Sequence, residues 1–471
     1  MLIDDRVART WDDDIVPALE DYVRIPAKSP SFDRDWERHG HLDAAVELVR
    51  AWCAARPIEG ISVEVVRLPG RTPLILVEVP ATDGSSGADT DTVVLYGHVD
   101  KQPEMTGWRE GFGPWTPVIH DGRLYGRGSG DDGYAAFASL AAIEHVRASG
   151  GAHARCVLVI EASEESGSPD LPAYVDALAD RIGSPSLVVC LDSNCATYDR
   201  LWVTTSLRGL ASVELDVHVL TQGVHSGSAS GVVPSSFRIL RRLLDRIEDP
   251  DTGRVLVPEM HRDPSPVRMA QIRDTAAELG SAIVDEWPFA GGTQPVVADP
   301  TEALLARTWR PTLSTIGIDG IPSIADGGNV LRPRTAASLS FRLPPGLDPE
   351  PGLAALREVL TADVPHGAEV RVEVRESAAG WEAPEPAPWL TAALDDASTA
   401  AFGMDARYIG EGGSIPFMGM LGSRFPDAQF VVTGVMGPGS NAHGPDEFLD
   451  IGMAKGVTVA IAEVLRAHAR R

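Results

Sequence analysis

The chain has 471 residues, 44% of them hydrophobic, which suits a packed globular protein but makes the chain too long for one ordinary core. The formal net charge of −26 excludes nucleic acid and an anionic membrane surface as partners. No apolar run approaches the roughly 18 residues of a membrane span. The stretch MLIDDRVARTWDDDIV lacks the basic-then-apolar plan of a signal peptide, and the four cysteines form no CxxC pair. We therefore expect a cytoplasmic protein of two or more domains.

Up to residue 206, short apolar strands alternate with helices. Helices are predicted at 11–23, 42–54, 134–149 and 170–181, and strands at SVEVVRL, LILVEVP, TVVLYGHVD, RCVLVIEA and SLVVCLD. The polar stretch ATDGSSGADTD predicts a loop between the second and third strands. This alternation is typical of a mainly parallel sheet with helices on both faces.

A different pattern begins at residue 207. LASVELDVHVL predicts a half-exposed strand, a helix follows from Pro234, and PTLSTIGID, TAASLSFRL, a helix near 350–361 and EVRVEVRES complete a β-α-β-β-α-β order. Residues 249–310 form an insertion in that order. A helix at 387–401, the strand AQFVVTGV and a helix at 451–468 then resume the first pattern. The sequence thus predicts a larger α/β domain at 1–206 and 381–471, interrupted by a smaller ferredoxin-like domain at 207–380.

Five stretches at predicted strand ends or loops of the larger domain carry side chains that bind cations. These are His98 in YGHVD, Asp131 in LYGRGSGDDGYAAF, Glu165 in IEASEESGSPDL, Asp192 in CLDSN and His443 in MGPGSNAHGPDEF. Ligands of α/β proteins bind near the carboxyl ends of the strands, so we expect the five stretches to meet. Two imidazoles and three carboxylates suit divalent ions such as zinc or manganese, and one carboxylate can bridge two ions.

Each stretch taken alone has a simpler interpretation. A histidine at a strand end or in a loop is usually a hydrogen-bonded structural residue, and Asp192 alone is an ordinary turn aspartate. The acidic pair at 131–132 suits helix capping, while a dinucleotide fingerprint is excluded because Asp131 stands at the third glycine position. The pair Glu164 and Glu165 is of a kind common on solvated loops. Only the five stretches together favour a metal site.

The adjacent Glu164 and Glu165 raise a question of their own, because like charges that close repel unless a cation or a proton intervenes. One glutamate can bind metal while the other takes a proton from a metal-bound water. Coordination lowers the pKa of that water from about 16 to about 7, so a carboxylate suffices as base. Asp100, two residues after His98, is placed to accept the other ring N–H of that histidine and fix its tautomer.

Together, GHVD, GRGSGDD, EASEESGS, LDSN and NAHGP resemble the motifs of the co-catalytic di-zinc exopeptidases. That family includes carnosinases, cytosolic dipeptidases, aminoacylases, acetylornithine deacetylases and succinyl-diaminopimelate desuccinylases. The resemblance covers nearly the whole chain in the same order, with the smaller domain where the family has its lid and dimerisation domain. It implies a zinc-exopeptidase-like catalytic domain, two divalent ions (zinc foremost, manganese or cobalt as alternatives) and a homodimer.

The resemblance also implies a role for each site residue. It places His98 and Asp192 on one ion, Glu165 and His443 on the other, and Asp131 between both. It makes Glu164 the general base that acts on a metal-bridged water and later protonates the leaving amine, with Asp100 supporting His98. A cis peptide bond is implied after Asp131. One departure is that Gly133 and Tyr134 replace the family's usual Lys-Gly, which leaves the contacts at that helix start open.

Matches in the lid imply residues that bind substrate. QGVHSGSASG contains His225, the family's lid histidine, which in dimeric members stabilises the oxyanion in the partner's site. DGGNVLRP and LSFRL match positions that bind a substrate carboxylate, Asn329 and Arg342. Without the family, a surface ion pair on a strand is the better interpretation of that arginine. EGGSIPF matches a substrate-facing loop containing Gly413 and Ser414.

The predicted activity is hydrolysis of the peptide bond in dipeptides or similar small amides. In the family, the position of Asp192 tends to hold Asp in dipeptidases and aminopeptidases, and Glu in deacylases and carboxypeptidases. The long lid with its insertion resembles the carnosinase and cytosolic dipeptidase branch. An N-acyl amino-acid deacylase is the first alternative. A non-catalytic binding protein is disfavoured because the full ligand set and Glu164 are present, and a di-metal phosphatase because no lysine or arginine cluster surrounds the motifs.

Overall fold

The computed structural model describes residues 4–82, 91–413 and 416–471. The chain divides into two compact units. The first comprises Met1–Thr205, Ala383–Ile409 and Met420–Arg471, and the second Ser206–Glu382 and Gly410–Gly419. The last of these segments, predicted from the sequence as part of the larger domain, groups with the second unit, and the predicted domain division stays a prediction. Most of the predicted loop ATDGSSGADTD lies outside the described residues.

The strands, in chain order, are β1 (Ser62–Val66), β2 (Leu74–Val79), β3 (Thr92–His98), β4 (Val118–His120), β5 (Arg123–Tyr125), β6 (Arg155–Glu161), β7 (Pro185–Cys190), β8 (Trp202–Leu207), β9 (Gly209–His218), β10 (Val224–His225), β11 (Thr312–Asp319), β12 (Val330–Leu331), β13 (Arg334–Leu343), β14 (Glu369–Ala378), β15 (Trp381–Glu382), β16 (Arg407–Glu411), β17 (Gln429–Val432) and β18 (Phe448–Asp450).

The helices are α1 (Asp5–Thr10), α2 (Val16–Val23), α3 (Trp36–His39), α4 (His41–Ala54), α5 (Ala135–Ala148), α6 (Leu171–Ala177), α7 (Ala179–Ile182), α8 (Ser226–Ala229), α9 (Ser236–Leu244), α10 (Pro266–Leu279), α11 (Ala282–Asp285), α12 (Pro300–Thr308), α13 (Pro349–Thr361), α14 (Pro388–Phe402), α15 (Pro416–Arg424) and α16 (Ile451–Arg470). A π-helical turn, Trp11–Ile15, joins α1 to α2. The helix predicted at 170–181 is divided at Leu178 into α6 and α7.

A six-stranded sheet in the order β1-β2-β6-β3-β7-β17 forms the centre of the first unit. β3 pairs in parallel with β6 and β7, and β17 extends the parallel part beside β7. β1 and β2 add an antiparallel edge. Every residue of β3 is buried, which explains the uninterrupted apolar run of its sequence. The predicted α/β fold with a mainly parallel sheet is confirmed.

The second unit contains the predicted β-α-β-β-α-β order as β9, α9, β11, β13, α13 and β14. The strands lie in the order β11-β13-β9-β14 and pair antiparallel throughout, which is the ferredoxin-like arrangement. Alternate residues of β9 are buried, and Leu215 packs in one core with Leu240 and Phe341. The insertion at 249–310 is helical in part, as predicted. Its first part joins this core through Val255 and Met260, and its later helices pack around Trp309 in a separate cluster.

Several short strands were not predicted from the sequence. β18, β5 and β4 form a three-stranded antiparallel sheet, and β15, β8 and β16 form a second three-stranded sheet. Most of these strands have two or three residues, too few for an alternation of apolar and polar positions to be read. Across residues 4–82, 91–413 and 416–471, none of the helices combines the length and the apolar character needed to cross a membrane.

The turn Ser129–Gly133 leads into α5, and its last residue has no room for a side chain. A Cβ on Gly133 would overlap the ring of Tyr22 on α2 and lie 2.5 Å from the carbonyl oxygen of Gly128. The close approach of α2 to this turn therefore depends on glycine.

We expect Gly133→Ala to lower the free energy of unfolding by about 1–3 kcal/mol, because the added methyl group must displace the Tyr22 ring or the turn. Gly292→Ala is the matched control, since an added Cβ there meets no atom within 4 Å. Its effect should stay within about 0.5 kcal/mol. Urea denaturation followed by circular dichroism measures both variants. Equal stabilities would contradict the close approach of α2.

Candidate metal centre

Side chains at or just after the carboxyl ends of three neighbouring parallel strands of the central sheet lie close together. β3 ends at His98, β7 is followed two residues later by Asp192, and β6 leads into a 3₁₀ turn at Glu164–Ser166. Because these strands run in parallel in the order β6-β3-β7, their carboxyl ends lie side by side. Asp131 and His443 reach the same place from the turn before α5 and from a loop before β18. The structure thus brings together all five predicted metal ligands and Glu164.

His98 presents one ring nitrogen to a group of carboxylates. Its Nδ1 lies 3.1 Å from the carbonyl oxygen of Asp100, so Nδ1 carries the donated proton and Nε2 is left with a lone pair. Nε2 is buried and has no hydrogen-bond partner. It faces Asp131 Oδ1 at 3.4 Å, and Glu164 Oε2 and Asp192 Oδ2 at 3.9 Å each. A buried nitrogen lone pair aimed at three carboxylates fits a cation between them.

Asp131 faces both histidines, one with each oxygen. Oδ1 points to His98, while Oδ2 lies 3.0 Å from Nε2 of His443. Glu165 Oε2 is 3.4 Å from the same His443 nitrogen. The potential ligand atoms form two groups, His98, Glu164 and Asp192 in one and Asp131, Glu165 and His443 in the other, each spanning no more than 4.8 Å. One carboxylate between two such groups is the arrangement that a pair of bridged ions needs.

The pKa values of the cluster are shifted because several acids lie together in one buried place. Burial, and then the charge of Asp192, raise the pKa of Glu164; burial, and then Asp131, raise the pKa of Glu165. Burial raises the pKa of Asp192 to about 6 despite His98. Burial acts to raise the pKa of Asp131, but the neighbouring imidazoles of His443 and His98 outweigh it and lower that pKa. Divalent cations would relieve this repulsion, and the donor set of carboxylate and imidazole suits them.

Asp100 is fully buried and holds the glutamate turn in place. Its Oδ1 accepts the backbone N–H of Glu164 at 3.1 Å, and its Oδ2 accepts that of Glu165 at 3.0 Å. The ring N–H of His98 is accepted by the carbonyl oxygen of Asp100; the carboxylate, predicted to accept it, lies 3.5 Å away. Asp100 therefore fixes both the histidine tautomer and the two glutamates, through different atoms.

The sequence did not identify two further residues that hold the turn. Gln102 donates from Nε2 to Glu165 Oε2 at 2.6 Å. The buried Glu161 accepts hydrogen bonds from the hydroxyls of Tyr96 at 2.7 Å, Ser163 at 3.1 Å and Ser168 at 2.7 Å. The two serines flank the turn at 164–166, so Glu161 closes it from both sides. An acid inside the apolar run RCVLVIEA was the available signal.

The departure at Gly133 and Tyr134 has a structural role. Tyr134 is fully buried, and its hydroxyl donates to the carbonyl oxygen of Leu191 at 2.5 Å, one residue before Asp192. This contact ties the turn that carries Asp131 to the end of β7, which Asp192 follows.

No side chain caps α5, so the capping interpretation of the acidic pair at 131–132 is wrong. The implied cis peptide bond after Asp131 is present.

The residues predicted to contact substrate belong to the second unit. His225 Nδ1 accepts the backbone N–H of Gly227 at 3.1 Å, and pairing of β10 with β12 brings His225 beside the segment of Asn329, whose carbonyl oxygen accepts the N–H of Ser226 at 2.9 Å. Arg342 lies on β13 opposite Thr312, and Gly413 is exposed. Ser414 lies outside the described residues. The roles predicted for these residues stay predictions.

The chain is similar to known peptidases in sequence and in fold. The cysteinylglycine-S-conjugate dipeptidase of Corynebacterium striatum is 28% identical over 437 residues, which are 91% of either chain. The Saccharomyces cerevisiae dipeptidase Dug1p has a solved structure with a TM-score of 0.73 at 21% identity, covering 99% of this chain and 98% of that one. For the metallo-carboxypeptidase Sso-CP2 of Sulfolobus solfataricus the TM-score is 0.75 at 20% identity, with 98% and 100% covered. Identity that low shows the shared fold.

The match that shows the family extends over most of the chain. The sequence model of peptidase family M20/M25/M40 matches residues 94–468, a span that includes every residue of the metal centre. The chain therefore belongs to peptidase family M20/M25/M40 and is a hydrolase of the peptidase class.

Proposed function

We propose that this protein is a di-metal dipeptidase. The observation that carries the proposal is the Asp131 carboxylate, which presents one oxygen to His98 and the other to His443 between two groups of ligands. Relatives named as dipeptidases, among them the Corynebacterium striatum enzyme, support a dipeptide as the substrate. Aspartate at position 192 supports the same choice over a deacylase.

Two divalent ions, zinc foremost with manganese or cobalt as alternatives, would be held by five side chains. His98 and Asp192 would bind the first ion, Glu165 and His443 the second, and Asp131 both. When bound, the ions supply a Lewis acid for the substrate carbonyl and lower the pKa of a water molecule toward 7.

Glu164 and Glu165 take different roles because their surroundings differ. Glu165 Oε2 already accepts a hydrogen bond from Gln102 and lies beside His443, and its side chain is only 3% exposed. The Glu164 side chain is 14% exposed, and its backbone N–H is held by Asp100. Glu165 is thus suited to bind metal, and Glu164 is the acid left to move protons.

In the proposed reaction Glu164 accepts a proton from the attacking water. The water oxygen bonds to the peptide carbonyl carbon, the C–N bond then breaks, and Glu164 returns its proton to the leaving amine. The raised pKa of Glu164, caused by burial and then by Asp192, suits a carboxyl group that both accepts and releases a proton.

Recognition of the substrate is assigned to the second unit. Arg342 and Asn329 would bind the substrate carboxylate, with Gly413 and Ser414 as a further contact loop. In His225, Nδ1 accepts a hydrogen bond, so Nε2 carries the proton and can donate to the oxyanion. As in dimeric relatives of this family, the site served would be that of a second copy. The edge strand β11, which exposes Ile316 and Ile318, supports pairing of two copies.

Hydrolysis of a dipeptide panel, set against N-acetyl and N-succinyl amino acids, tests the substrate class. We expect the zinc-loaded protein to cleave dipeptides, to lose activity with a chelator and to regain it with Zn²⁺, because the bound ions supply the Lewis acid that the proposed reaction needs. Amine release is the measurement. Activity confined to the acylated compounds would make the protein a deacylase, and full activity in the chelated protein would exclude the di-metal mechanism.

Replacement of the proposed base separates proton transfer from metal binding. Glu164→Gln should lower kcat by about 10²–10⁴-fold, because the amide cannot accept the proton from water. The metal content measured by atomic emission should stay at the wild-type value. Glu165→Gln is the control, and it should reduce the metal content as well. If Glu164→Gln loses metal to the same degree, Glu164 is a ligand and the assigned roles are wrong.

A mixing experiment tests the dimer and the role of His225 together. His225→Ala and Glu164→Gln should each be nearly inactive alone. In mixed dimers the intact His225 of the Glu164→Gln copy serves the intact Glu164 of the other copy, so activity should reappear. Turnover is measured after refolding the two variants together, with light scattering to establish the dimer. A monomer, or mixed dimers without activity, would contradict the proposal.

A further inference from the structure

A buried ion pair lies just outside the set of metal ligands. Arg127 and Glu447 are each 1% exposed, and their charged groups are in contact through Nη1 of the arginine and Oε2 of the glutamate. Neither residue is among those assigned a role in the reaction. Two charges withdrawn from water require good geometry and further hydrogen bonds to be tolerated, so the other contacts of this pair are informative.

The guanidinium of Arg127 connects three loops. Besides Glu447, it donates from Nε to the carbonyl oxygen of Pro103 at 3.2 Å and from Nη2 to that of Gly444 at 2.9 Å. Glu447 in turn accepts the backbone N–H of Gly128 on Oε1 at 2.7 Å. The three loops are those at 99–104, at 126–133 and at 437–447.

Each of these loops contributes to the same group of ligands. Gly444 follows His443 directly, and Gly128 opens the turn that contains Asp131. Pro103 follows Gln102, whose amide holds Glu165 Oε2. The contacts of the Arg127–Glu447 pair therefore end beside all three members of the second group, Asp131, Glu165 and His443.

The first group has a different support. His98 is the last residue of β3 and pairs with Glu161 of β6, and Asp192 lies two residues after the end of β7, so the central sheet places both. His443 lies in a loop with a φ of 63°, and its side chain is 54% exposed. The second group depends on loops, and the ion pair is the element that these loops share.

We propose that Arg127 and Glu447 are positioning residues that set the affinity of the second metal ion without touching it. This inference rests on the proposed di-metal function. Arginine suits the task because its planar fork reaches a carboxylate and two carbonyl oxygens in fixed directions, whereas the ammonium group of lysine is a single point of donation. Replacing a residue that orients metal ligands through hydrogen bonds typically weakens metal binding strongly.

Titration of the metal-free full-length protein with Zn²⁺ in a calorimeter tests the proposal. Arg127→Lys keeps the charge opposite Glu447 but loses the fork. We expect the first ion to bind with unchanged affinity and the Kd of the second to rise about 10- to 100-fold. Repeating the titration with Co²⁺ should show the same selective loss in the visible absorption of the second ion. Glu447→Gln, which keeps the shape and removes the charge, should act in the same direction.

Arg109→Lys is the matched control. Arg109 also pairs with an acid of the His443 loop, Asp446, but this pair is exposed and its Nε–Oδ2 distance is 3.2 Å. Both ions should bind to this variant as to the wild type. Circular dichroism and thermal melts before the titration establish that each variant is folded.

Two outcomes would overturn the inference. If folded Arg127→Lys and Glu447→Gln bind both ions like the wild type, the pair does not position the second group. If both ions weaken equally, the pair supports the whole domain and no particular ligand group. A wild-type protein that binds fewer than two ions would instead refute the proposed di-metal function, so the two failures are distinguishable.

Discussion

The accumulation of carboxylates around two imidazoles at the edge of the central sheet is the constraint on which the rest of the structure depends. Burial and mutual repulsion raise the pKa of Glu164, Glu165 and Asp192, while the two neighbouring histidines lower that of Asp131. Without cations such a cluster favours protonation or dispersal, and with cations it becomes a defined site. The surrounding hydrogen bonds therefore hold in place acids that would otherwise separate.

Those hydrogen bonds come from groups that are themselves buried. Asp100 and Glu161 fix the turn of the two glutamates through backbone and hydroxyl groups. Tyr134 joins the turn that carries Asp131 to the carbonyl oxygen of Leu191, the residue before Asp192. Leaving one such buried group unpaired costs on the order of 1–3 kcal/mol, which is comparable to a large fraction of the net stability of a domain. The site is thus coupled to the fold, because loss of one support affects geometry and stability together.

The two ligand groups are not equivalent in this respect. Strand ends place His98 and Asp192, while loops place His443 and the turn of Asp131. The hydrogen bonds of a sheet restrict a residue more than a loop does. A protein that needs both ligand groups at fixed positions must therefore stabilise the loops by other contacts. The Arg127–Glu447 ion pair makes such contacts with three loops, and Gln102 makes one with Glu165.

The sequence by itself determined the type of fold and predicted the residues of the candidate site. Alternation of buried strands and helices predicted the parallel sheet, a change of period near residue 207 predicted the ferredoxin-like part, and five ordered motifs predicted the ligands. These features are local: hydrophobic period and residue type can be read along the chain. The short strands β4, β5 and β18 could not be predicted, because two or three residues carry no period.

The tertiary structure alone decided which partners hold the site. Nothing near Arg127 in the sequence points to Glu447, 320 residues away, and nothing near Tyr134 points to the carbonyl of Leu191. It also decided that the carbonyl oxygen of Asp100 faces His98 while the carboxylate holds the glutamates. Such contacts join groups that are distant along the chain, and backbone atoms carry no residue type, so only the folded chain brings them into view.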